Sequence, residues 1–143
     1  MVAGDPIDIR YHHVALSVPN LDASVAWYRD VLGFAVERRL HLPTVPADVA
    51  LLRRGPMRIE LFQPAAANPL PPGRSDVQDD LRTHGTKHVA YAVRDIGTLV
   101  AQLEKRGADI ALTRQTAGVS FAYVRDNSGN LIEFYEQQDL WEN

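Results

Sequence analysis

Two histidines and two glutamates stand at matching places in a sequence that repeats itself. Tyr11-His-His-Val-Ala-Leu-Ser-Val18 recurs as Lys87-His-Val-Ala-Tyr-Ala-Val93, and Arg58-Ile-Glu-Leu-Phe62 recurs as Leu131-Ile-Glu-Phe-Tyr135. His13 and His88 are 75 positions apart (88 − 13) and Glu60 and Glu133 are 73 apart (133 − 60), so each half of a duplication supplies one His and one Glu. Imidazole and carboxylate together suit borderline-to-hard divalent ions such as Zn, Ni, Fe or Mn. A single His on a strand is more often structural or solvent-facing than a ligand, and His12, His41 and His84 take that default. The repeat register, with His-Val-Ala in both halves, selects His13 over its neighbour His12.

The elements that must position these residues also come in two copies. His13 to Val18 is short, apolar and closed by Pro19-Asn20, the pattern of a buried strand meeting a turn. A helix follows, capped by Asn20 or Asp22, with Leu21, Val25, Tyr28, Val31 and Leu32 at helical spacing and Gly33 as its stop. In the second half Asp95 caps, Ile96, Leu99, Val100 and Leu103 form the stripe, and Gly107 terminates. Extended stretches are predicted at about 34–41, 48–54, 57–63, 108–114, 119–125 and 130–136, which makes each half β-α-β-β-β. The halves run from about 10 to 63 and from about 87 to 137. Residues 64–86 between them are rich in Pro, Ala, Gly and Asp, with Asp76 to Arg82 as a short helix. A structureless connection of this length is usually functional or disordered, and a lid or wall over a site is favoured here over a flexible linker.

Side chains alternate faces along a strand, so His13, Ala15 and Ser17 share one face while Val14, Leu16 and Val18 lie under the helix. By the same rule Arg58, Glu60 and Phe62 oppose Ile59 and Leu61, His88 groups with Ala90 and Ala92, and Glu133 with Leu131 and Tyr135. All four candidate ligands therefore avoid the helix-packed face. Clustered among apolar neighbours, the two carboxylates would lose water at a cost of several kcal/mol each unless paired, and a cation would remove that cost.

Composition narrows the alternatives. A chain of 143 residues with 45% apolar content can build one domain with a real core. It has no cysteine, which excludes disulfides, thiolate metal sites and cysteine nucleophiles and suits a reducing cytoplasm, the expected location. Residues 1–10 lack the apolar run of a signal peptide, and no segment approaches the roughly 18 continuous apolar residues of a membrane span. A net charge of −3 with scattered Lys and Arg gives no basic stripe for nucleic acid.

The stretches HHVALSVPNLDASVAWYRDVLGF, RIELFQ, KHVAYAVRDIGTLVAQLEKRGA and YVRDNSGNLIEFYEQ resemble the vicinal oxygen chelate superfamily of glyoxalase I, methylmalonyl-CoA epimerase, extradiol dioxygenases and bleomycin-resistance proteins. The resemblance covers most of Tyr11 to Gln137. It implies an α+β fold of two tandem βαβββ modules forming a cupped mixed sheet with helices on the outer face, and one divalent metal ion (Ni, Zn, Co, Mn or Fe) held by His13, Glu60, His88 and Glu133. A Glu at the second ligand position resembles glyoxalase I, whereas epimerases usually carry Gln there. The long 64–86 connection resembles the epimerases more. Asp126-Asn-Ser-Gly129 departs from the common Asp-Pro-x-Gly but keeps residues that tolerate a turn. The implied activity is that of a metal-dependent lyase or isomerase, transferring a proton through an enolate or enediolate of a small substrate with vicinal oxygens. Glu60 and Glu133 are the candidate bases, and Arg58, Phe62 and Tyr135 the candidate substrate contacts, with Arg58 as readily a rim salt-bridge residue. The rivals are an Fe(II) dioxygenase using His13, His88 and Glu133, and a small-molecule-binding resistance protein. Relatives and uncovered sheet edges imply a homodimer, to which Trp27, Trp141 and the tail Gln137 to Asn143 would contribute.

Overall fold

The computed structural model describes residues 7–141; residues 1–6, part of the stretch read for a signal peptide, and 142–143 of the tail lie outside the described residues. The chain forms β1 (Val14–Ser17), α1 (Leu21–Leu32), β2 (Ala35–Leu42), β3 (Ala47–Arg54) and β4 (Met57–Pro64), then α2 (Val77–Asp80). It continues as β5 (Val89–Val93), α3 (Ile96–Lys105), β6 (Asp109–Gln115), β7 (Ser120–Arg125) and β8 (Leu131–Glu136), and ends in a 3-10 turn at Asp139–Trp141. The expected α+β architecture of two βαβββ modules is present. It is built as two separately hydrogen-bonded four-stranded mixed sheets, in the orders β1-β4-β3-β2 and β5-β8-β7-β6.

Local signals place the elements as their chemistry requires. The Asn20 side chain accepts from the Ala23 amide at 3.0 Å to start α1, and Gly33 at φ 75° ends it in the left-handed conformation that other residues enter only at a cost. Asp95 caps α3 in the same way through the Thr98 amide. Each helix carries the chain back across its sheet, so β1 runs parallel to β4 and β5 parallel to β8, while the remaining pairs are antiparallel hairpins.

One apolar core runs through both modules. Val18, Val25, Tyr28, Leu52, Ile59 and Leu61 from the first half and Ile96, Leu103, Val124 and Ile132 from the second are almost fully buried in it. Burial of each large side chain contributes roughly 1.5–3 kcal/mol. Between the modules the Tyr28 hydroxyl donates to Asp126 Oδ2 at 2.8 Å, Arg106 Nη1 donates to the Val31 carbonyl at 2.6 Å, and the Phe34 and Tyr91 rings lie 6.2 Å apart. Burial, and then the Asp126 charge, push the Tyr28 phenol well above its ordinary pKa.

The 64–86 connection is anchored rather than loose. Asp76 caps α2, the short helix expected there. Asp80 is buried and takes Arg74 Nε at 2.7 Å and Lys87 Nζ at 3.4 Å, while Arg125 donates to the Ser75 carbonyl at 2.7 Å. Among the described residues no helix is long and apolar enough to cross a membrane.

Candidate metal centre

The parallel strand pairs set the positions of the four candidate ligands. Ala15 of β1 is in register with Glu60 of β4, and Ala90 of β5 with Glu133 of β8. His13 and His88 each stand two residues before that alanine, and side chains two apart share a face. The same strand geometry therefore brings His to Glu in both modules. His13 Nε2 lies 3.5 Å from Glu60 Oε1, and His88 Nε2 lies 2.8 Å from Glu133 Oε2. All four side chains are partly shielded, between 16% and 33% exposed.

The two pairs do not join. Among the described residues no three His, Asp or Glu side chains converge on a point that could hold a metal ion. The four residues stand as one His–Glu pair per module, and the expected single cluster of four is not formed within one chain.

The two half-sites have different surroundings. Next to His13, the His12 and His13 Nδ1 atoms are 2.6 Å apart, which leaves His13 Nε2 toward Glu60. One of those nitrogens must carry the proton. In module two the His88 ring meets the Tyr123 ring edge-on at 5.0 Å, and Tyr123 sits directly across from Glu133 in the β7–β8 ladder. Partial burial, and then the Glu133 charge, raise the Tyr123 phenol pKa. Phe121 stacks edge-on with Tyr123, so this half presents an aromatic wall. Sequence reasoning passed over Tyr123. The signal was available in Ser120-Phe-Ala-Tyr-Val-Arg125, where alternation gives Phe121, Tyr123 and Arg125 one common face.

The candidate substrate contacts fare unequally. Phe62 and Tyr135 lie on the strands of Glu60 and Glu133, two residues further on and on the same face, with Tyr135 the more open. Arg58 is already gripped in bidentate fashion by Glu37, at 2.9 and 3.1 Å, which holds the Glu37 carboxyl below its usual range. A bulge between Val36 and Arg38 turns Glu37 toward it, so a substrate carboxylate would have to displace Glu37 to reach Arg58. His41 forms an exposed 2.8 Å pair with Asp48, in keeping with a surface role.

Comparison with known proteins places the fold in a family. Residues 10–134 match the sequence model of the Glyoxalase/Bleomycin resistance protein/Dioxygenase superfamily. The chain is 30% identical over 129 residues to the mitochondrial methylmalonyl-CoA epimerase of Mus musculus, covering 87% of this chain and 71% of that protein. It is 28% identical over 133 residues to an ethylmalonyl-CoA/methylmalonyl-CoA epimerase of Cereibacter sphaeroides, covering 87% and 95%. Among solved structures, a glyoxalase family protein from Enterococcus faecalis superposes with a TM-score of 0.74 at 26% identity, covering 89% of this chain and 97% of that one. The trypanothione-dependent glyoxalase I of Leishmania major superposes with a TM-score of 0.70 at 25% identity, covering 94% and 91%. With its duplicated βαβββ modules and a family match over nearly its whole length, the chain belongs to the Glyoxalase/Bleomycin resistance protein/Dioxygenase superfamily.

Proposed function

We propose that the protein is a divalent-metal-dependent lyase or isomerase of glyoxalase type, moving a proton at a carbon beside a carbonyl in a small substrate with vicinal oxygens. The observation that carries this reading is the repeated register: a His two residues ahead of the strand partner of a Glu, once in each module. The kinship with epimerases and a glyoxalase I supports the reaction class.

The donor chemistry fits a metal. Two atoms bound to one ion at about 2.0–2.2 Å lie about 3 Å apart when adjacent, and the His–Glu separations of 3.5 and 2.8 Å are of that order. Neither pair alone is a full site. Because the pairs do not meet within one chain, His13 and Glu60 of one copy would face His88 and Glu133 of a second, giving a two-fold homodimer with two sites. Strands β1 and β5 are the edges of their sheets, and a second copy would cover them.

A bound ion would supply Lewis acidity toward the substrate oxygens. The remaining work falls to side chains of this chain. Glu60 or Glu133, each able to release its histidine, would take the proton from carbon and return it. Phe62, Tyr135 and Tyr123 would keep water from the reacting carbon, and the Tyr123 phenol would stay neutral as a hydrogen-bond donor.

Metal analysis of protein purified without chelators should find one ion per chain, with turnover screened on hemithioacetals, 2-methylacyl-CoA esters and catechols. His13→Ala and His88→Ala should each abolish both metal retention and turnover. Mixing these two inactive variants from dissociated chains discriminates the assembly. A mixed dimer joins both lesions in one site and leaves the other intact, so about a quarter of the sites should recover by random pairing. No recovery would remove the two-copy site, and loss of neither metal nor activity in the single variants would remove the ligand assignment.

A further inference from the structure

A second feature, independent of the His–Glu pairs, lies where the two modules meet. A cavity of about 790 Å³ opens between the C-terminal end of α1 with the β3–β4 turn on one side and β5 with α3 on the other. Its volume falls within the range of roughly 300–1,000 Å³ typical of small-molecule sites. Apolar side chains such as Leu99 and Phe134 line it, and three arginines, Arg54, Arg94 and Arg106, stand among them. None of these arginines is ion-paired among the described residues, although eight other arginines of the chain are.

Each of the three already has one task that does not consume its charge. Arg54 Nη1 donates to the Leu32 carbonyl at 3.0 Å and Arg106 Nη1 to the Val31 carbonyl at 2.6 Å, while Arg94 lies over the Trp141 ring at 4.9 Å. A guanidinium has five N–H donors, so each keeps donors to spare. The one carboxylate on the cavity wall, Asp95, is engaged as the cap of α3 at 2.6 Å from the Thr98 amide. The Tyr91 hydroxyl, also on the wall, is buried and has no hydrogen-bond partner among the described residues. A buried hydroxyl left unmatched is costly, and an acceptor brought by a ligand would satisfy it.

We infer that the cleft between the modules is a binding site for an amphipathic carboxylate, its apolar body against Leu99 and Phe134 and its anion facing the unpaired arginines. The apolar walls select against a fully solvated inorganic anion, and the excess of guanidinium over free carboxylate selects against a neutral or cationic amphiphile.

Isothermal titration of the full chain with decanoate, with 1-decanol and decyltrimethylammonium as matched probes, tests the inference. All three are kept below the concentrations at which they aggregate. Decanoate should bind saturably at about one per chain and about tenfold more tightly than either probe. Leu99→Trp, which fills the cavity, and Arg94→Gln, which removes one charge near the surface, should each weaken decanoate binding about tenfold. His88→Ala should leave it unchanged, so failure of the metal site and failure of this site are separable. Equal binding of decanol, indifference to both cavity variants, or no saturable binding because a second copy fills the cleft would each overturn the inference.

Discussion

Removing one oxygen atom from Tyr28 tests how the modules are joined. Tyr28→Phe deletes the hydroxyl that donates to Asp126 at 2.8 Å and leaves the ring packed against Trp27 and Phe34. Both partners are buried, at 0% and 5% exposure, so water cannot readily replace the lost donor. A hydrogen bond to a charged group contributes roughly 1.5–3 kcal/mol. Asp126 would still accept from the Ser128 and Asn130 amides and from Asn130 Nδ2, so the loss belongs toward the lower part of that range, about 2 kcal/mol. For a chain of this size that corresponds to a fall in melting temperature of roughly 4–8 °C. The pH dependence gives a second reading of the same contact. The folded phenol pKa lies above its unfolded value of about 10, so its contribution to stability is intact below about pH 10 and is lost as pH rises from there. Urea unfolding at pH 7 and pH 11 should show Tyr28→Phe less stable than the parent at pH 7, with the gap narrowed at pH 11. A loss below about 0.5 kcal/mol at pH 7, or a gap unchanged at pH 11, would refute the reasoning.

Asp80→Ala should cost about 2–3 kcal/mol, discounted from a fully buried ion pair because Arg74 and Lys87 are partly exposed. Limited proteolysis should then cut the 64–86 segment faster than in the parent. Gly33→Ala forces an alanine to φ 75° and should destabilise by about 1–2 kcal/mol in denaturant titrations, although no neighbouring atom blocks the added methyl at closer than 4.0 Å. Turnover, once a substrate is found, should proceed under nitrogen and return with Ni, Co or Zn after chelation, because proton transfer leaves the ion's oxidation state unchanged. Strict dependence on oxygen would shift the assignment to a dioxygenase.

The repeating plan was legible because it is written in local chemistry. Alternation in His13 to Val18 and in Arg58 to Phe62 fixes which residues share a face, and Asn20, Gly33 and Asp95 fix the helix ends. These signals act over a few residues, and the structure follows them closely. What escaped depends on residues distant in sequence or on departures from regular pattern. No local rule pairs Tyr28 with Asp126, 98 residues away. Glu37 reaches Arg58 only because the bulge in β2 breaks the alternation that sequence reading assumes. The separation of the two His–Glu pairs is likewise a matter of how the modules dock. Alternation establishes that four side chains share a type of face and says nothing about whether those faces meet.

The register of β1 on β4 and of β5 on β8 has a consequence for how such a protein can change over generations. His13 and Glu60 are separated by 47 positions and His88 and Glu133 by 45 (60 − 13 and 133 − 88), yet each glutamate faces the alanine two places after its histidine. The difference in length of the helix and hairpins in between is absorbed without parting either His–Glu pair, because ladder pairing and not chain spacing holds each pair together. Insertions in those connections should be nearly silent. A deletion of one residue inside β4 or β8 ahead of the glutamate would turn its carboxylate to the helix side. A motif search demanding a fixed His-to-Glu interval would thus overlook one half of this chain after finding the other.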